Sequence, residues 1–177
     1  LNGATLGLYS GTQPSTPETA LAGNVLLASF TFSNPAFSVA NTSASGQNVA
    51  TATFTSVSAT PGNNGTASFA RATINYSGGW QAATAYNYGT IINQNSKLYV
   101  CCKAGTSAAS GGPGASTGMG IVDGGAGWNQ IGTTGSPTYA DFSIGVGAGA
   151  DIILGNLTLN TSTPVTISSF ALQMPCL

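Results

Sequence analysis

Charge is what this 177-residue chain has least of: three Lys and Arg, four Asp and Glu, and no histidine. About a quarter of the side chains in an ordinary soluble domain are charged. Their near absence removes most of the groups that catalysis, metal binding and nucleic-acid recognition draw on. A Ser–His–Asp triad and a Cys–His pair both lack their base. A formal charge of −1 offers no basic surface for phosphates, so nucleic acid is not expected as a partner. No apolar run approaches the roughly 18 residues of a membrane span, and no membrane partner is expected. Three cysteines are too few for a disulfide framework. Cys101 and Cys102 are adjacent, so at most one long-range bridge, Cys101–Cys176 or Cys102–Cys176, can form; buried free thiols are the simpler expectation. The same spacing does not suit a zinc site, and no metal or cofactor is expected.

Ser, Thr, Asn, Gln and Gly take the polar positions instead, and apolar residues recur throughout. That combination argues for a folded domain and against disorder, which pairs low hydrophobicity with high charge. The length suits one domain, or one domain carrying a small insert.

Short strand-like segments follow one another with breakers between them. They are Ala4–Tyr9, Val25–Phe32, Val49–Val57, Ala67–Tyr76, Tyr139–Val146, Ile152–Asn160 and Val165–Met174. In Val25–Phe32 the alternation places Leu26, Ala28, Phe30 and Phe32 on one face, and Ser33-Asn34-Pro35 reads as the closing turn. Val165–Met174 changes phase midway, which predicts a bulge near Ser168-Ser169. Pro14 and Pro17 exclude a regular ladder from residues 12–22; Glu18–Leu27 is the sole candidate for a helical turn. The pattern predicts an all-β antiparallel sandwich, jelly-roll-like or Ig-like.

Composition shifts between Ser77 and Pro137, where both tryptophans and a Gly/Ser/Ala-rich tract, Ala104–Gly120, are found. The flanking segments Ala67–Tyr76 and Tyr139–Val146 read as two arms of one hairpin, with Arg71 opposite Asp141. The expected division is therefore a β-sandwich of residues 1–77 and 136–177, with a small β-module of residues 78–135 inserted at a hairpin tip. Excising Gly79–Gly132 is expected to leave the remainder folded.

The stretch LGLYSGTQPSTPETALAGNVLLASFTFSNPAF resembles the opening of small structural proteins of tailed bacteriophages, encoded among head and tail genes. The similarity resumes at GTASFARA and at ADFSIGVGAGADIILGNLTLNTSTPVTISSFAL, and covers about two thirds of the chain. Within the insert, GWQAATAYNYGTIINQNSKLYVCCKAGTSAASGGPG followed by DGGAGWNQIG is similar to the β-modules of phage tail proteins and chitinase-type carbohydrate-binding modules. Trp80, Tyr86, Gly89, Tyr99 and Trp128 take the motif positions. In the chitinase-type modules aromatics after the second tyrosine stack on sugar, where this chain has Cys101, Cys102 and Lys103.

The resemblance implies a non-enzymatic virion structural protein, favouring a capsid decoration or cement protein. Its expected partners are the major capsid protein or other virion subunits, its expected state a homotrimer, and its expected place the capsid surface of the virion. The alternative is a tail-associated adhesin or fibre component that binds host-surface glycan through the insert. Trp80, Tyr88, Tyr99 and Trp128 are the candidate glycan or surface contacts; a small core of their own is the competing role for the two tryptophans. Tyr88 is expected to stay exposed. No catalytic residue is expected. Glu18, Asp123, Asp141 and Asp151 are all assigned structural or solvated roles. The G-x-G-x-G run Gly145–Gly149 lacks the Lys and helix of a phosphate loop and reads as a turn. The Asn-x-Ser/Thr triplets at Asn41, Asn64, Asn75, Asn156 and Asn160 are taken as chance.

Overall fold

The computed structural model describes residues 1–38, 41–42, 48–76, 78–135 and 138–174. The fold is all-β; among the described residues the sole helical element is the 3-10 turn Pro113–Ala115. The helical turn considered for Glu18–Leu27 does not form.

The strands close on themselves. In order around the ring run Thr5–Tyr9, Leu26–Phe37, Asn48–Phe54, Val165–Met174, Ile152–Leu154, Tyr139–Gly145 and Phe69–Thr73, which returns to Thr5–Tyr9. This is a seven-strand closed barrel, where the sequence suggested a sandwich. Two long strands do the closing by bending. Val165–Met174 pairs with Ile152–Leu154 in its first half and with Asn48–Phe54 in its second. The bulge expected from its phase change is present: Ile153 faces Ser169 and Leu154 faces Ile167, which leaves Ser168 over. Leu26–Phe37 passes from Thr5–Tyr9 to Asn48–Phe54 in the same way. The turn expected at Ser33–Pro35 is instead an irregularity inside this strand, between Phe32 and Phe37.

The same strand corrects a second expectation. Leu8 faces Ala28 but Tyr9 faces Leu26, so one residue is skipped at Leu27. The skip turns Leu27 into the core and leaves Leu26 outside, 42% exposed. Ala28, Phe30 and Phe32 point inward as the alternation required. Phe170 is the centre of the aromatic core, with ring contacts to Phe32, Phe37, Phe54 and Phe142 at 4.8–6.4 Å.

One neighbouring pair is parallel: Ile144 faces Ile152 and Gly145 faces Ile153. Residues 146–151 alone connect them, far less chain than a regular crossover needs. The Gly-rich run makes this feasible. Gly149 takes φ +103°, and a Cβ on Gly145 would lie 3.0 Å from that of Ala150. Asp151 then reaches back and accepts from the amide and hydroxyl of Ser143 at 2.8 and 2.7 Å. The run is a turn, as its composition implied.

Residues 78–135 leave the Phe69–Thr73/Tyr139–Gly145 hairpin, whose register sets Arg71 opposite Asp141. They form a four-stranded antiparallel sheet in the order Ile121–Asp123, Ala126–Thr133, Lys97–Lys103, Ile91–Gln94. Both faces of this sheet are buried. One carries Ile92, Tyr99, Cys101 and Trp128 in a cluster of its own. The other contributes Ile91 and Val100 to the barrel's own buried cluster, which Tyr88, just ahead of the Ile91–Gln94 strand, also joins. The Tyr88 ring meets Phe37 edge-on at 6.2 Å. Gly89 permits that contact: its φ is +77°, and a Cβ there would stand 2.6 Å from Phe37 Cδ2. The apolar contact is shared, so excision of Gly79–Gly132 would open the barrel's core rather than trim its surface.

Candidate functional site

Two places gather chemistry-bearing side chains: the aromatic centre of the inserted sheet, and the outer barrel face beneath residues 12–22.

In the insert, strand alternation sends Tyr99, Cys101 and Trp128 to one side, where Tyr86 packs edge-on against Trp128 at 4.9 Å. Asp123 is the hub of this cluster. Its Oδ2 accepts from the indole N–H of Trp80 at 2.7 Å and of Trp128 at 3.1 Å, while its Oδ1 accepts from the Ala108 amide at 2.9 Å. A buried carboxylate is tolerable when several donors surround it, and here three do. Tyr99 donates its hydroxyl to Ser116 O at 2.9 Å, and burial raises its pKa. Cys101 is a buried free thiol pushed up to about 12 by desolvation, which keeps it protonated and unreactive. Cys102 faces the other way and is disulfide-bonded. Free thiols were expected at both positions; that holds for Cys101 and is corrected for Cys102. Cys176 lies outside the described residues.

This geometry places the four candidate contact aromatics. Tyr88, Tyr99 and Trp128 are no more than 1% exposed, so their ring faces are not offered to a sugar. Tyr88, expected to be the most exposed, is packed on Phe37 because both sides of the sheet are covered. Trp80 is half-buried, and Gly112 lies close against it: a Cβ there would come 2.8 Å from Trp80 Cδ2. A readable signal for this double burial was the unbroken apolar run Leu98–Cys102, which marks a strand covered on both faces.

The second place was not anticipated as a site. Residues 12–22 cross the outside of the barrel as a strap. Arg71, buried beneath it, forms a bidentate pair with Asp141, Nε to Oδ1 at 2.6 Å and Nη2 to Oδ2 at 2.8 Å. Its remaining donors hold the strap, reaching Thr19 O at 2.9 Å and Thr16 O at 3.5 Å. The Asp141 partnership raises the Arg71 pKa further. Glu18 fastens the strap's other side: its Oε1 accepts from the amides of Thr138 and Tyr139 at 2.6 and 3.1 Å. The Tyr139 amide, with a smaller contribution from Thr138, holds the Glu18 carboxyl below its usual range against a small desolvation cost. Between strap and barrel lies a cavity of about 390 Å³, lined by Tyr9, Arg71, Thr73 and Tyr139 among others. The signals for it were a Pro-rich segment with a carboxylate, and a lone arginine on a strand.

A further cavity of about 360 Å³ lies between barrel and insert, and is lined almost wholly by apolar side chains such as Phe37, Ile74, Ile91 and Ile131. Of the sequon-like triplets, the Asn156 and Asn160 side chains serve local turns by accepting from Thr158 and Ser162, whereas Asn64 accepts from the distant Thr161 and Asn75 donates to Asn2 O. Among the described residues, no three Cys, Asp or Glu side chains come together as metal ligands would.

Comparison with family models, with curated proteins and with solved structures finds no match to this chain.

Proposed function

We propose that this chain is a structural component of a bacteriophage particle, a capsid decoration or cement protein that acts by fitting permanently against its neighbours. The observation that carries the reading is the employment of its carboxylates. Asp141 neutralises Arg71, Glu18 fastens the strap, Asp151 closes a turn and Asp123 holds two indoles. Each is engaged in building the fold, and no two share a cavity as a general acid and base would. What remains for outside contact is hydroxyl-rich surface with scattered apolar side chains, including Val25, Leu26, Val57 and Val146.

Such a surface binds by exclusion of water, at about 25 cal/mol per Å² of apolar area. Near-neutral charge lets copies approach one another without repulsion. A homotrimer over capsomer junctions, touching the major capsid protein and carrying the insert outward, would accumulate interfaces of roughly 2,000 Å² or more. A barrel suits this use because closure leaves few open edges that could pair in the wrong register.

The test adds the purified chain to heads that lack it and compares their survival of osmotic shock and heating. Decorated heads should survive markedly better, with the chain pelleting alongside them in stoichiometric amounts. Failure to pellet, or no gain in survival, would refute the cement role. The adhesin alternative loses support from the burial of Tyr88, Tyr99 and Trp128.

A further inference from the structure

We infer that the strapped cavity on the outer barrel face binds a neutral sugar unit, of mono- or disaccharide size. This goes beyond the virion reading and does not depend on it. The cavity is distinct from the aromatic cluster of the insert, and no residue is common to both.

Its volume, about 390 Å³, falls within the range of small-ligand pockets. Its lining carries six side-chain hydroxyls, those of Thr5, Tyr9, Thr19, Ser29, Thr73 and Tyr139, and that of Thr19 is already shared with Thr16 Oγ1 at 2.8 Å. Among the described residues, none of the other five is engaged in a hydrogen bond within the protein. Each can donate and accept, which is what a polyol surface requires of its partner. At the rim, Glu18 uses Oε1 for the strap and leaves Oε2 as an acceptor.

Two aromatic rings supply the apolar side of the recognition. Tyr9 has one face committed to Phe69, stacked at 5.5 Å and 19°. Tyr139 carries the Arg71 guanidinium 5.4 Å from its centroid. Both rings line the cavity, where the C–H face of a sugar ring can lie against them. Gly7 lets Tyr9 lie across the floor, because a Cβ there would approach its ring to 2.7 Å.

Electrostatics select for neutrality. Arg71 is already matched by Asp141, and its free donors hold the strap. An anionic ligand would face Glu18 with no unpaired cation to receive it. A cationic one would find only the rim carboxylate of Glu18, already engaged by the Thr138 and Tyr139 amides. Charge therefore offers little to either sign, whereas the barrel-side wall meets a sugar's hydroxyls with hydroxyls of its own, with the apolar Ala20, Leu21 and Leu26 also in the lining.

The experiment is saturation-transfer NMR on the full chain with glucose, galactose, mannose, N-acetylglucosamine and lactose, set against sialic acid and glucosamine. At least one neutral sugar should bind, with both charged sugars weaker. Thr73→Val and Tyr139→Phe should each weaken that binding about fivefold, and Tyr139→Ala by about tenfold or more. Trp80→Phe, in the insert, should leave it unchanged. Thermal melts of the variants confirm that the fold survives. The inference is overturned if no neutral sugar binds at the highest soluble concentration, if a charged sugar binds better, or if binding follows the Trp80 change and ignores the cavity changes.

Discussion

Arg71 and Asp141 stand directly opposite one another on neighbouring antiparallel strands and join through two hydrogen bonds of 2.6 and 2.8 Å, both side chains almost wholly buried. The pair is covered by the strap that Arg71 itself holds through Thr16 and Thr19. Register, burial and loop placement therefore meet at one contact.

Breaking half of that contact should be costly. Arg71→Met would leave Asp141 buried without its cation and release the strap, for a loss of about 3 kcal/mol or more in chemical denaturation. Asp141→Leu added to Arg71→Met should recover much of the loss, because no unpaired charge remains. Equal stability of the single variant and the parent would show that the pair contributes nothing.

The Glu18 fastening should depend on pH. Its carboxyl is held below the ordinary value of 4.5 by the Tyr139 and Thr138 amides. A carboxyl depressed on folding contributes fully above its unfolded value, and the contribution fades as pH falls through the folded value. The Thr138 and Tyr139 amide resonances should therefore shift together as the solution is acidified, with a common midpoint below 4.5. In Glu18→Gln they should show no such titration.

Gly89 should tolerate no side chain. Gly89→Ala combines a φ of +77° with a Cβ 2.6 Å from Phe37 Cδ2, and should destabilise the protein by about 2 kcal/mol. Deleting Gly79–Gly132 should abolish cooperative thermal unfolding, since Tyr88, Ile91 and Val100 belong to the same buried cluster as Phe37 and Ile74. A sharp melt in the deletion variant would show that the barrel's core is complete without them.

Asp123→Asn should unsettle the insert. An amide has one oxygen where the carboxylate has two, so its NH₂ must face either the Ala108 amide or the paired indoles. A cost of about 2 kcal/mol and a changed tryptophan emission spectrum are expected. An unaltered spectrum and melting point would remove Asp123 from its hub position.

Legibility followed distance along the chain. The bulge at Ser168 was readable because a change of phase within one strand is local to it. The Arg71–Asp141 register was readable because so few charges leave few partners to choose from. Leu26 misled, since the skipped residue beside it arises from pairing with Tyr9 rather than from its own neighbours. Barrel closure was hidden for the same reason: it is decided where the Val165–Met174 and Leu26–Phe37 strands bend onto a common partner. Tyr88 looked exposed in a polar stretch, and only its packing on Phe37 shows otherwise. The strapped cavity combines residues from five separate segments, which no local pattern joins.

The most direct measurement of the proposed role is imaging of purified virions, in negative stain, labelled with an antibody raised against this chain. Dense labelling distributed over the head is the predicted result. Label absent from the particle would contradict a structural role in the virion, and label confined to the tail tip would contradict decoration of the capsid.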